Sequence, residues 1–253
     1  MLKAILWDVD GTLAETERDG HLVAFNRAFE ALAIPWRWSE SRYGELLAVA
    51  GGRERLLYDL EHQPLAPRDA EQRAALVDRI HPLKNEYYAA IVAGGALPLR
   101  AGVEQLFADC AAAGVAMGIA TTTSAANVAA LLAAHLGAGW RSRFAAVVCA
   151  EQAPLKKPDP QVYRHALQTL GLAAADVLAI EDSPAGIAAA RAAGVAVVVA
   201  RSFYFADIDP GAALSAGPSL GSARGWKPLP GAASGDRIAL SDLVRWHGAR
   251  PAR

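Results

Sequence analysis

Four short clusters in this sequence hold side chains that could do chemistry together. The first is Asp8-Val9-Asp10-Gly11-Thr12-Leu13, two carboxylates two residues apart followed by a glycine. Placed at the end of a strand, such a pair can divide its work. Asp8 would attack phosphorus and form an aspartyl-phosphate. Asp10 would protonate the leaving oxygen and later take a proton from water. Gly11 would allow a sharp turn, and Thr12 could bond to it. Asp-x-Asp alone is common and would suit a solvated loop. The full run directly after an apolar stretch favours chemistry.

The second cluster is Thr121-Thr122-Thr123-Ser124. The Thr121 hydroxyl and nearby backbone N–H groups would bind phosphoryl oxygens, with Thr122 a further substrate contact. By itself, such a cluster is more often a helix cap. The third is Lys156-Lys157-Pro158-Asp159-Pro160. A phosphate carries about two negative charges near neutral pH, and a fixed ammonium would offset its repulsion with two aspartates. Lys157 is the better candidate, because Pro158 stiffens the backbone beside it, and Lys156 is expected to face solvent. The fourth is Glu181-Asp182-Ser183. Adjacent acids at a strand end suit a hard cation, and Mg²⁺ takes one or two carboxylates plus phosphate oxygen and water. Asp8 and Asp182 are the expected side-chain ligands, with the Asp10 carbonyl near and Glu181 binding directly or through water. Asp182 could equally cap a helix beginning at Pro184.

The set matters more than any member. Hydrolysis of a phosphate monoester can need acceleration approaching ~10²¹, about 28 kcal/mol at ~1.36 kcal/mol per decade. One positioned donor supplies only about 3–4 kcal/mol. Nucleophile, acid/base, cation and phosphate clamp must therefore converge.

What would bring them together is a series of buried strands. Ala4–Trp7, Val115–Ala120, Ala145–Ala150, Val177–Ile180 and Val195–Ala200 are short apolar runs of the length expected for strands covered on both faces. Helical stretches alternate with them, Val103–Ala113 before Gly114 and Ser183–Ala193 before Gly194. This order predicts an α/β fold with a parallel, doubly wound sheet. All four clusters fall at predicted strand ends, where open α/β sheets bind ligands.

Residues 16–96 contain no strand-like run. Helical patterns at Leu22–Leu32, Arg53–Glu61, Ala70–Ile80 and Glu86–Ala93 are punctuated by Pro64, Pro67 and Pro82. They predict an inserted all-helical domain, with residues 1–15 and 97–253 as the core. Two linkers, near Thr16 and Pro98, would serve as hinges. The Gly-, Ala-, Ser- and Pro-rich stretch from Phe205 to about Asp236 reads as a long loop. Arg237–Leu240 is an expected edge strand and Asp242–His247 a short helix.

Composition sets further limits. The chain has 253 residues, 53% hydrophobic and 20% charged, which suits a globular protein with a sizeable core. Twenty-five Lys and Arg against 26 Asp and Glu give no global reason to expect nucleic-acid or membrane binding. Cys110 and Cys149 lack metal-type spacing and read as reduced, buried thiols. No targeting segment is evident, so the cytoplasm is the expected compartment, and a monomer the expected state.

The four clusters, in this order, strongly resemble the haloacid dehalogenase superfamily in its phosphatase branch. The resemblance covers Met1 to about Tyr204 and implies a Rossmann-like core with a helical cap between the first and second motifs. It assigns Asp8 as nucleophile, Asp10 as acid/base, Thr121 and Lys157 to phosphate, and Asp182 to Mg²⁺. Dehalogenases lack the second Asp of Asp-x-Asp, so Asp10 favours phosphate esters. Ala14-Glu15-Thr16-Glu17, Trp36-Arg37-Trp38 and Gly51-Gly52-Arg53-Glu54-Arg55 are similar to CbbY-type phosphatases, which act on xylulose 1,5-bisphosphate. That likeness implies that Glu17 contacts sugar hydroxyls, while Tyr43, Gly52, Arg53 and also Arg55 or Lys84 bind from the cap. A second phosphate needs a cationic site, and Arg can grip it with two parallel hydrogen bonds. The competing and less favoured reading is that Arg53 and Arg55 are solvated helix charges. Arg18-Asp19-Gly20 is one residue longer than the family's usual spacing before His21, which leaves the place of His21 open.

Two other functions use the same residues. A phosphomutase of the β-phosphoglucomutase type shares the motifs and a Lys84-Asn85 pair, and returns the phosphoryl group to sugar. A non-enzymatic sugar-phosphate sensor would be expected to have lost a motif residue, and none is lost.

Overall fold

The computed structural model describes residues 1–231 and 235–249. Six parallel strands form one sheet: β1 (Ala4–Trp7), β2 (Ala116–Ala120), β3 (Ala146–Val148), β4 (Val177–Glu181), β5 (Ala196–Ala200) and β6 (Ser215–Gly217). Their order is β3-β2-β1-β4-β5-β6. The chain leaves β1 toward β2 on one side and later returns to β4 on the other. The carboxyl end of β1 therefore lies at the switch point where such sheets form a crevice.

Why these runs are apolar throughout is visible in their packing. Ile5, Trp7, Leu178, Ile180 and Val198 belong to one buried cluster. Ala4, Leu6, Val177, Ala179 and Val197 belong to the other. Alternate residues point to opposite faces, and both faces are covered.

After β1 the chain makes a π-helical turn, Thr16–Leu22, and then α1 (Val23–Ala31), α2 (Glu40–Leu46), α3 (Gly52–His62) and α4 (Ala70–Ala93). These helices enclose their own cluster around Phe25, Phe29, Trp38, Leu56 and Ile80. Trp38 is fixed from two sides. Its backbone exchanges hydrogen bonds with the Asn26 amide at 2.8 and 2.9 Å, and its indole N–H donates to Asp59 at 2.6 Å. Two helices expected on either side of Pro82 are one helix, α4. Proline removes one helical hydrogen bond. Here both halves are anchored, Val77 and Ile80 in the cap cluster and Tyr88, Ile91 and Val92 in the core cluster that includes Ile5 and Trp7.

On the core, α5 (Val103–Ala113), α6 (Ala125–Leu136) and α9 (Leu240–Gly248) contribute to the first cluster. The second takes α7 (Gln161–Leu170) and α8 (Pro184–Ala192). Gly114 ends α5 in the left-handed conformation, as its position after the Ala-rich run predicts.

The segment after Phe205 departs from expectation. It is not simply a loop. Ser215–Gly217 adds β6 beside β5, and Trp226 is buried and stacked on Trp246 of α9 at 5.5 Å. Three small residues carry no β-branched signal, so β6 was not legible. Residues 232–234 of that stretch lie outside the described residues. Arg237–Leu240 forms no edge strand. Arg237 is held by Asp109 of α5 at 2.8 Å, and Leu240 already opens α9. No helix among the described residues is long and apolar enough to cross a membrane.

Candidate active site

Asp8 follows β1 directly and is 7% exposed. Lys157 reaches it from the loop before α7. Its Nζ donates to Asp8 Oδ1 at 2.7 Å, to the Ala120 carbonyl at 2.9 Å and to Glu181 Oε1 at 2.6 Å. An ammonium has three donors, and all three are used. One cation thus ties together the ends of β1, β2 and β4.

Glu181 is fully buried, and its Oε1 also accepts from the Tyr163 hydroxyl at 2.5 Å. Burial and the neighbouring Glu181 and Asp10 push the Asp8 carboxyl up to about 8, although Lys157 opposes this. Asp182 is raised well above the carboxylate range by burial, then by Asp8 and Glu181, with Ser202 and Arg100 offsetting only part.

Oxygens of Asp8, Glu181 and Asp182 lie within 4.8 Å of one another. This is excess buried negative charge presented by hard donors, which fits a Mg²⁺-type ion. Gly11 leaves the space. A Cβ on it would lie 2.0 Å from Asp182 Oδ2, and its φ of +82° is one that L side chains rarely adopt. Asp182 does not cap α8. Ser183 does, accepting from the Gly186 N–H at 3.1 Å, so the Asp182 side chain is left to the cluster.

Asp10 sits in a different environment. Thr16 Oγ1 donates to Asp10 Oδ1 at 2.6 Å, and His21 Nε2 approaches the same oxygen at 3.1 Å. Burial would raise this carboxyl, but His21, Thr16 and Lys84 hold it at about 2. The turn that carries His21 is π-helical, a geometry often found at functional sites. There His21 meets Asp10, and its ring stacks on Tyr88 at 4.4 Å.

These groups open onto a cavity of about 680 Å³ between core and cap. Asp8, Asp10, Lys157 and Asp182 line it from the core, as does Thr122. Thr121 is 1% exposed and does not line it; its Oγ1 accepts from the Thr123 N–H at 3.2 Å. Ser124 caps α6. The cluster thus serves both as wall and as helix start.

From the cap, Glu17, Arg55 and Lys84 face the cavity. The Tyr43 hydroxyl donates to Glu17 Oε2 at 2.5 Å, and Arg55 donates to the Tyr43 hydroxyl at 2.7 Å. Arg55 is 5% exposed, so it is no solvated helix charge. Arg53 also lines the cavity but is half-exposed and ion-paired with Asp78. Gly52 opens α3 at the rim. Lys84 is buried and lowered to about 8 by that burial, with Glu17 and Asp10 opposing.

Lys156 corrects an expectation. Rather than facing solvent, it lines the cavity and pairs with Glu54 of the cap at 2.6 Å. Arg100 gave no sequence signal. It binds the carbonyls of Gly11, Ala200, Arg201 and Pro218 and pairs with Glu15, fastening the second linker to the core.

His81 supplies a pH test. Burial, then Lys84 and Arg53, lower its pKa from 6.5 to about 4. Its neutral form is the one folding favours. Its contribution to stability is present above pH 6.5 and lost as pH falls toward 4. Urea unfolding across that window should show a shallower loss of stability for His81→Gln than for the parent. Parallel curves would refute the assignment.

A family model for haloacid dehalogenase-like hydrolases matches residues 2–194. The chain belongs to this family. The hydrolase is 44% identical to the plasmid-borne protein CbbY of Cupriavidus necator, over 97% of each chain. It is 30% identical to a phosphoglycolate phosphatase of Rhodospirillum rubrum, over 96% of this chain and 98% of that one. A crystal structure of a CbbY variant from Rhodobacter sphaeroides in complex with xylulose-(1,5)-bisphosphate superposes with a TM-score of 0.83. It shares 35% identity, with 96% of this chain and 99% of that chain covered. This haloacid dehalogenase-like hydrolase is a phosphatase.

Proposed function

We propose that this phosphatase is a Mg²⁺-dependent enzyme that hydrolyses a sugar phosphate through an aspartyl-phosphate at Asp8, with xylulose 1,5-bisphosphate as substrate and a ketopentose monophosphate as product. One observation carries the reading: Asp8, fixed by Lys157, shares a cavity with Asp10, Asp182, Glu17 and Arg55, the last two joined through the buried Tyr43 hydroxyl. Residues 16–96 act as the cap domain and residues 1–15 and 97–253 as the core. The ligand of the R. sphaeroides CbbY structure supports the choice of sugar.

In this mechanism Asp8 attacks phosphorus while the bond from phosphorus to the sugar oxygen breaks. Asp10, held in place by Thr16 and His21, delivers a proton to that oxygen. Water then attacks the phospho-aspartate, Asp10 takes its proton, and phosphate leaves with the Asp8 carboxylate restored. Lys157 holds Asp8 in place throughout. Asp8 and Asp182 would hold Mg²⁺ by their side chains, with the Asp10 carbonyl near. Glu181 is engaged by Lys157 and Tyr163 and orients the lysine. Bound Mg²⁺ supplies positive charge against Asp8 and the phosphoryl oxygens. Glu17 and Arg55 bind the sugar end.

The test is phosphate release from sugar mono- and bisphosphates, ketopentose bisphosphates included, with and without chelator. Release without a sugar-bisphosphate activator separates hydrolysis from mutase activity. Magnesium at about 100 times its Kd should stabilise the protein by about 2.7 kcal/mol, read as a rise in Tm. Asp182→Asn should abolish that rise. A variant that keeps the full shift would place the ion elsewhere.

A further inference from the structure

One wall of the cavity takes charge from both parts of the molecule. Lys156 comes from the core loop, and Glu54 from the first turn of α3 in the cap. Their ion pair is 2.6 Å long, with the Lys156 side chain 22% exposed and that of Glu54 48% exposed. Gly51 permits this approach. A Cβ at Gly51 would lie 2.0 Å from Lys156 Nζ and 2.2 Å from Glu54 Oε2. Arg53, His81 and Lys84 line the same cavity. Lys84, Arg53 and Lys156 all act on His81 electrostatically, so three cations share this region.

Arg53 has its own partner, Asp78, outside the lining, and Lys84 is buried against the rings of Phe25 and Tyr88. Glu54 is the carboxylate that meets Lys156, and it sits on a half-exposed side chain able to swing into water. A phosphate brings about two charges and three acceptor oxygens against one charge on a carboxylate. It would win the ammonium, and it would also take over the place of Glu54 at the amino end of α3, where the N-cap residue Gly51 offers no side chain.

The geometry points to Glu54 as a built-in stand-in for the non-reacting phosphate of the substrate, and to Lys156 as the residue that makes the enzyme prefer bisphosphates. A bisphosphate displaces Glu54 from Lys156; a monophosphate leaves the pair intact. This deepens the sugar-phosphate reading above and rests on it.

A simple clasp between cap and core would make the two residues equivalent, since losing either opens it. Displacement makes them opposite. The experiment compares Lys156→Gln, Glu54→Gln and the parent, reading kcat/KM for xylulose 1,5-bisphosphate and for a ketopentose 1-phosphate. Lys156→Gln should lower the bisphosphate-to-monophosphate ratio about tenfold or more, the scale of a lost hydrogen bond between charged groups. Glu54→Gln should raise the ratio, chiefly through a lower KM for the bisphosphate. Shifts in the same direction, or no shift in either variant, would overturn the proposal. If the parent releases phosphate from neither sugar, the sugar-phosphate reading falls first and this one with it.

Discussion

Asp8→Asn is expected to reduce kcat by on the order of 10⁴-fold or more, the scale seen when a nucleophile is removed from a cooperating set. An amide has nearly the same shape as the carboxylate but cannot form the phosphoester bond. Fold and stability should survive. Asp8 is buried among Glu181, Asp10 and Asp182, and burial with two of these acids already pushes its carboxyl up to about 8. Removing its charge relieves repulsion while Asn still offers an oxygen to Lys157. The variant should therefore unfold no more easily than the parent in the absence of metal. The decisive measurement is single turnover with ³²P-labelled substrate. The parent should carry label at Asp8 after acid quench, and Asp8→Asn should carry none. Label at any other residue would refute the mechanism.

Lys157→Met should cost both activity and stability. Its ammonium makes three hydrogen bonds, two of them to buried carboxylates. Removing one partner of a buried ionic network typically costs about 3–5 kcal/mol, because the remaining charges stay buried without compensation. Asp8 and Glu181 raise the lysine's proton affinity against the opposing effect of burial. The stabilisation is thus complete below the ordinary lysine pKa of 10.5 and is lost only above it. At neutral pH the whole effect is present. Urea unfolding without metal should show it, and acidification should narrow the gap as carboxylates take up protons. Lys157→Arg should not restore activity. A planar guanidinium cannot place three donors on the Asp8, Ala120 and Glu181 acceptors at once. A Lys157→Met variant as stable as the parent at neutral pH would show that this network does not hold the strand ends.

Some of this protein is local and some is not. The strands are legible because burial on both faces demands continuous apolar runs, as in Ile5 and Trp7 on one side and Ala4 and Leu6 on the other. The parallel order follows from the alternation of these runs with helices. Asp8, Lys157 and Asp182 could be picked out because each follows or flanks an element whose end must lie at the crevice. Pairings across the chain were beyond reach. Lys156 looked like an exposed neighbour of Lys157, since nothing near it in sequence announces Glu54, about a hundred residues earlier. Arg53 and Arg55 are two residues apart on α3, yet one turns out to Asp78 and the other in to Tyr43. Helical rotation separates them by roughly 200°. Whether His21 reached Asp10 depended on the turn between them, which is π-helical. Residue type and order along the chain thus determined the fold and the chemistry on offer. Tertiary packing decided which charge meets which, because a cation is drawn to the nearest desolvated anion in space, whatever its distance in sequence.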